Sequence, residues 1–169
     1  MSDGAVSDGD GLLGRLQEHT DPAMFVFTAA AGGEASGCLA GFGSQVSIDP
    51  PRFLACVSKA NHTFGVAERA AAVVVHVLPA DAHDLAVLFG HETGDEVDKL
   101  AQVAWRPGPS GAPVLDRCPT WVGGPVVDRV DLGDHVGMLV EVTDGNVPDV
   151  DADPLHFRAA EAIDPGHAP

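Results

Sequence analysis

The chain has 169 residues, 45% of them hydrophobic and 5% aromatic, with no tyrosine. That is the size of one ordinary domain, too apolar for a disordered chain, and its core must rest on Val, Leu, Ala and Phe. A formal charge of −16 argues against nucleic acid and anionic membrane as partners, and no apolar run reaches the roughly 20 residues of a membrane span.

Residues 1–10 are polar and read as disordered. Leu12–His19 predicts a short helix, because Leu12, Leu13 and Leu16 share a face. Phe25–Ala30 reads as a strand, and Gly32-Gly33 turns it into a second, Glu34–Ala40. Phe53–Ser58 is a third. Thr63–Ala71 reads as a helix with Asn61 or Thr63 as N-cap. Ala72–Leu78, rich in Val, predicts a buried strand. Asp81 is the expected N-cap of a helix whose apolar face is Leu85, Leu88 and Phe89, ended by Gly90 or Gly94. Residues 95–101 add a short helical turn, and 105–113 read as a rigid loop. Two long strands follow, Thr120–Val130 and His135–Thr143, joined by a tight turn at Asp131–Asp134. Pro154–Ala160 is read as a last strand and 161–169 as frayed. Six or seven mostly consecutive strands with two helices imply a mainly β fold, an antiparallel barrel or sandwich with helical insertions.

The 20 glycines and 13 prolines fall largely between these apolar runs, as a turn-rich β fold requires. Cys38, Cys56 and Cys118 show no CxxC or paired spacing. An odd count with no leader segment predicts a reduced, cytoplasmic protein, with Cys38 and Cys56 as buried small hydrophobes.

The most informative stretch is 37–63, GCLAGFGSQVSIDPPRFLACVSKANHT. Its glycines allow close backbone approach, its hydroxyls and Lys59 can bind oxyanions, and a helix start at 61–63 offers aimed donors. Those parts suit a planar ligand that carries phosphate. Lys59 is one of two lysines in an acidic chain, and on the residues alone a solvated strand-end lysine and an anion-binding one are equally good readings.

Other motifs fail. His91-Glu92 does not open HExxH, and no histidine pair has metal-ligand spacing. The run Asp149-Val150-Asp151-Ala152-Asp153 lacks the glycine and glutamate of a calcium loop and reads as a solvated acidic loop. There is no dinucleotide fingerprint, P-loop or nucleophile elbow. His76, inside an apolar strand, reads as a satisfied core histidine rather than a ligand.

The order of features resembles the flavin reductase-like family of the FMN-binding split barrel, over about Asp21 to Ile163. The strongest piece is S-x-D-P-P, here Ser47-Ile48-Asp49-Pro50-Pro51, followed by a strand and K-x-x-x-T, here Lys59-Ala60-Asn61-His62-Thr63. His76-Val77-Leu78 stands where the family shows a VNVL-like run, and Asp81–Phe89 matches its DLAxxF helix. Gly94-Asp95, the Trp105-Arg106-Pro107-Gly108 loop, Gly111-Ala112-Pro113-Val114-Leu115 and Gly133-Asp134-His135 then follow in order. The departure is at 39–47, where the family's T-A-N-S-F-x-S-V-S becomes Leu39-Ala40-Gly41-Phe42-Gly43-Ser44-Gln45-Val46-Ser47.

The resemblance implies a split barrel of six or seven antiparallel strands over 21–163, with 1–20 as an N-terminal segment and 164–169 as a tail. It implies hydride transfer from NADH or NADPH to FMN or FAD, a homodimer, and a partner oxygenase that takes up reduced flavin. No catalytic side chain is needed, because the cofactor carries the chemistry. Gly41, Phe42, Gly43, Ser44, Gln45, Val46 and Ser47 would frame the isoalloxazine. Ser58, Lys59, Asn61 and Thr63 would hold the phosphate, helped by the positive end of the following helix, and His62 would also belong to the cofactor site. His135 would lie near the nicotinamide or flavin edge, or simply close its hairpin. Three rival readings stay open: an electron carrier without NADH turnover, a barrel using a deazaflavin, and an interaction module that binds no flavin.

Overall fold

The computed structural model describes residues 9–91 and 97–163. The expectations for residues 1–8, for Gly94 and Asp95 and for the tail 164–169 lie outside them. The described residues form ten strands: β1 Phe25–Ala31, β2 Glu34–Ala40, β3 Gly43–Ser47, β4 Arg52–Ser58, β5 Ala72–Val77, β6 Trp105–Pro107, β7 Pro113–Leu115, β8 Trp121–Asp131, β9 His135–Glu141 and β10 Asp144–Asn146. The α-helices among them are α1 Gly9–Thr20, α2 His62–Ala67, α3 His83–His91 and α4 Phe157–Ala160.

The main sheet runs β2-β1-β5-β8-β9-β4-β3, with β10 on the early part of β8, and every pairing is antiparallel. Phe27 and Ala29 of β1, Cys38 of β2, Ala55 and Val57 of β4, Val73 and Val75 of β5, and Met138 of β9 meet in one buried cluster. The sheet therefore wraps around that cluster as a barrel, the mainly β architecture expected. The unbroken apolar character of β5 has a simple cause. Val73 and Val75 point into the barrel, while Val74 and His76 point out and are still fully buried. A second layer covers them. Leu85 and Phe89 of α3 pack with Val26, Leu78 and Leu115, and Thr28 Oγ1 donates to the Pro113 carbonyl at 2.6 Å.

Several expectations need correction. Gly9 and Asp10 belong to α1 and are ordered helix, not a disordered lead. α2 stops at Ala67, well short of Ala71, and its N-cap is Asn61, whose side chain accepts from the Thr63 N–H at 3.0 Å. α3 begins one residue later than Asp81 would cap it, because Ala82 O receives the first helical bond from Ala86. Residues 105–113 are not a loop, since β6 and β7 form a hairpin in the register Trp105↔Leu115 to Pro107↔Pro113. Prolines hide such a short edge hairpin from any propensity argument. β3 was missed because its residues are largely exposed on one sheet edge and show no alternation. Residues 154–160 are not a strand: isolated bridges at Pro154 and His156 lead into α4. Ile163, expected to be frayed, packs against the second core.

Two glycines shape the site's surroundings. A side chain at Gly124 would overlap the Glu141 carbonyl, so only glycine lets β8 cross there from β5 to β9. A Cβ at Gly90 would meet Leu39 Cδ2 at 2.7 Å, so glycine lets the end of α3 close against β2.

Candidate functional site

β4 and β9 pair as Cys56↔Gly137, Val57↔Val136 and Ser58↔His135. Alternation turns Val57 and Val136 into the barrel and leaves Cys56, Ser58 and His135 on its outer face. Opposite them stand the end of α3 and the residues after α4. Between the two lies a cleft of about 280 Å³ lined by Leu39, Ala40, Gly41, Cys56, Ser58, Asn61, Phe89, Gly90, His135, Ala160 and Ile163. It is amphipathic. Leu39, Gly90 and Ile163 crowd together at an apolar wall, and Ser58, Asn61 and His135 form a polar one.

The polar wall is tightly braced. The Asn61 N–H donates to the Ser58 carbonyl at 3.1 Å, and the Ala60 N–H to Ser58 Oγ at 3.3 Å, which leaves the hydroxyl proton as a donor. The Lys59 N–H donates to the Asp134 carbonyl at 2.9 Å, tying the strand end to the β8–β9 turn. His135 Nδ1 stands 2.7 Å from Asp134 Oδ1, and that bond holds the Asp134 carboxyl below the usual carboxylate range. The Phe42 ring lies over His135, centroids 5.1 Å apart and planes tilted by 58°. Lys59 Nζ is 2.9 Å from Asp131 Oδ1, and this lysine keeps the Asp131 carboxyl low as well.

The expected site residues divide. Gly41, Ser58, Asn61 and His135 share the cleft, and Phe42 covers its histidine. Gly43, Ser44, Gln45, Val46 and Ser47 form β3 instead. Gln45, Val46 and Ser47 line a separate, shallow concavity with Ile48 and Asp49, and Gln45 Nε2 bonds back to the Ser47 carbonyl at 3.3 Å. Gly43 is demanded by packing: a Cβ would stand 2.9 Å from Phe53 Cε1. His62 turns away from the cleft, its Nε2 3.0 Å from Glu34 Oε1, and Glu34 also takes Arg69. Thr63 is buried, and its hydroxyl lies 2.8 Å from Ser36 Oγ. Its side chain is packed in the core, away from the surface of the cleft. The helix end anticipated as an anion donor belongs to a six-residue helix whose Thr63 N–H is already taken by Asn61.

Beyond Leu39 and Ala40, which adjoin the predicted Gly41, sequence reasoning missed Cys56, Phe89, Gly90, Ala160 and Ile163 as wall residues. Only Cys56 carried a signal, being two residues from Ser58 on one strand. It is half-buried, not fully buried as expected, and burial raises its thiol pKa. Cys38 and Cys118 are buried, and desolvation pushes their thiols up to about 11 and about 12. Among the described residues no group of three or more His, Cys, Asp or Glu could hold a metal ion, and no helix is long and apolar enough to cross a membrane.

The family described as flavin reductase like domain matches residues 16–162. The reductase subunit of a stachydrine N-demethylase from Rhizobium meliloti is 30% identical over 122 residues, 72% of this chain and 52% of the relative. The reductase subunit of a flavin-dependent monooxygenase from Mycobacterium tuberculosis is 30% identical over 115 residues, 68% of this chain and 60% of the relative. This chain therefore spans little more than half the length of these relatives. Among solved structures, an NADH:FAD oxidoreductase of Streptomyces globisporus superposes with a TM-score of 0.77 at 25% identity, covering 90% of this chain and 92% of that one.

Proposed function

Because this chain belongs to the flavin reductase-like domain family, we propose that it is an NAD(P)H-dependent flavin reductase that acts on FMN or FAD and supplies reduced flavin to a separate monooxygenase. The observation that carries this reading is the amphipathic cleft beside Ser58, Asn61 and His135. Relatives that are reductase subunits of an N-demethylase and of a monooxygenase support the oxygenase partner.

The residues present fit a flavin. Binding clefts for such ligands are mostly apolar with a few placed polar groups, and this one has that composition. A flavin, when bound, supplies the hydride-accepting chemistry, so no nucleophile or strong base is required of the protein. Leu39, Phe89 and Ile163 supply apolar surface for a ring system and exclude water from it. Gly41 lines the cleft between them and the polar wall. Ser58, Lys59 and Asn61 form the phosphate end. Their donors are a hydroxyl, an ammonium and a side-chain amide. His135, fixed by Asp134 and shielded by Phe42, presents its Nε2 side to a nicotinamide. Residues 21–163 are the working unit of this proposal.

The assembly proposed is a homodimer. Leu54 and Leu132 close over Gly137 on the outer face of β4 and β9, and Leu132 is 51% exposed. Apolar surface of that kind suits a second copy.

The test is anaerobic. Protein, a slight excess of FMN and NADH are mixed and the visible flavin band is followed against a protein-free control. Rapid bleaching is expected. A shifted flavin spectrum without bleaching would overturn the reductase reading in favour of a carrier.

A further inference from the structure

The Lys59–Asp131 pair joins groups 72 residues apart in the chain. Lys59 follows Ser58 at the end of β4, beside the polar wall of the cleft. Its ammonium is turned to the β8–β9 turn, where Asp131 Oδ1 holds it at 2.9 Å. That same oxygen accepts the Gly133 N–H at 3.1 Å, so the turn fixes the carboxylate in place. The Lys59 backbone is bound to the same turn through the Asp134 carbonyl. Lysine and turn are thus stapled at two points. Asp131 is 76% exposed and Lys59 38%, so the pair is open to solvent and open to exchange.

We propose that Asp131 is a specificity-determining residue that competes with flavin phosphate for Lys59 and so keeps the flavin exchangeable. This rests on the reading of Lys59 as a phosphate group of the site. A phosphate monoester carries close to two negative charges at neutral pH. It meets an ammonium already matched by one carboxylate, and must displace that carboxylate or share the lysine with it. Sharing places two anions about one cation, at a cost that falls on FMN and not on riboflavin, which lacks the phosphate. A diffusing reduced flavin has to leave its site, and a self-matched lysine favours leaving.

Asp131→Asn tests the competition, because asparagine keeps the oxygen that accepts from Gly133 and removes only the charge. Kd values for FMN and riboflavin are measured by flavin fluorescence in the absence of nicotinamide. FMN should bind about fivefold to tenfold tighter to the variant, with riboflavin changed less than about twofold. Unchanged FMN affinity, or equal tightening of both flavins, would overturn the proposal. Lys59→Ala, measured alongside, separates this from the underlying assignment. Loss of the preference for FMN over riboflavin supports Lys59 as the phosphate group. An unchanged preference removes that assignment and the proposal with it. In the Lys59→Ala background the gain from Asp131→Asn should vanish. An undiminished gain would mean simple repulsion of phosphate by Asp131, not competition for the lysine, and would also overturn the proposal.

Discussion

His76 Nε2 accepts the Leu115 backbone N–H at 3.0 Å, while Nδ1 lies 2.9 Å from the Val26 carbonyl. A carbonyl can only accept, so Nδ1 carries the proton and the ring is neutral. The expected core histidine is thus a three-way tie between β1, β5 and β7. Burial is the main reason its pKa falls from 6.5 to about 4, with Arg106 adding to the fall and the Val26 bond opposing it. The unfolded chain therefore binds this proton first as pH drops. The stability His76 contributes is complete above pH 6.5 and is lost as pH falls towards about 4. By about pH 5 the loss should approach 2 kcal/mol. Urea unfolding against pH measures it, and His76→Gln should flatten the profile over that window. An equally steep profile in the variant would remove His76 as the cause.

Gly43 stands against the edge-to-face pair Phe25–Phe53, whose centroids are 5.6 Å apart. A Cβ there would come within 3.3 Å of both rings. Gly43→Ala must push the pair apart, at about 1–2 kcal/mol in line with other overpacked cores. A denaturant midpoint equal to wild type would show that the rings yield without cost.

If His135 faces the nicotinamide as proposed, His135→Ala should raise the apparent KM for NADH several-fold and change flavin Kd less than about twofold. Phe42→Ala removes the aromatic cover while leaving the Asp134 bond, and should produce a weaker shift of the same kind. An unchanged KM for NADH in His135→Ala would confine that histidine to closing its turn.

Leu132→Asp places a charge beside Leu54 and Gly137 on the outer sheet face. Light scattering after size exclusion should report a dimer for the wild type and a monomer for the variant, because an unpaired charge is costly at a buried interface. A monomeric wild type would end the dimer proposal directly.

Arg129 shows how tertiary contacts enlist residues that no pattern marks. Its Nη2 donates to the Ala67 and Ala70 carbonyls, at 3.0 and 2.6 Å, where α2 ends. The Ala67 carbonyl also takes the Ala70 N–H at 3.3 Å, so Arg129 adds a second, charged donor there and ties the residues after the helix to β8. Arg129→Ala should lower stability by about 1–2 kcal/mol, read as a shift in thermal midpoint.

β1, β2, β4, β5, β8 and β9 were legible because apolar runs, β-branched residues and glycine turns mark strands that bury at least one face. The polar edge strand β3, the proline-bearing β6–β7 hairpin and the DGN strand β10 were not legible. Their pairing comes from neighbours already in place, and their own residues prefer turns or solvent. Ser58, Asn61 and His135 could be named as site candidates from the chain. That Ser58 pairs with His135 could not be known, since strand register is a long-range property.

What the sequence determined by itself was local: which segments alternate, where glycines and prolines turn the chain, and that 37–63 carries groups suited to an anionic planar ligand. Only the tertiary structure decided which of those groups face one another. It turned Thr63 inward to Ser36 and His62 outward to Glu34, set Phe42 over His135, and gave Lys59 to Asp131. Those contacts join residues far apart in the chain. They depend on the curl and register of the whole sheet, which no local periodicity encodes.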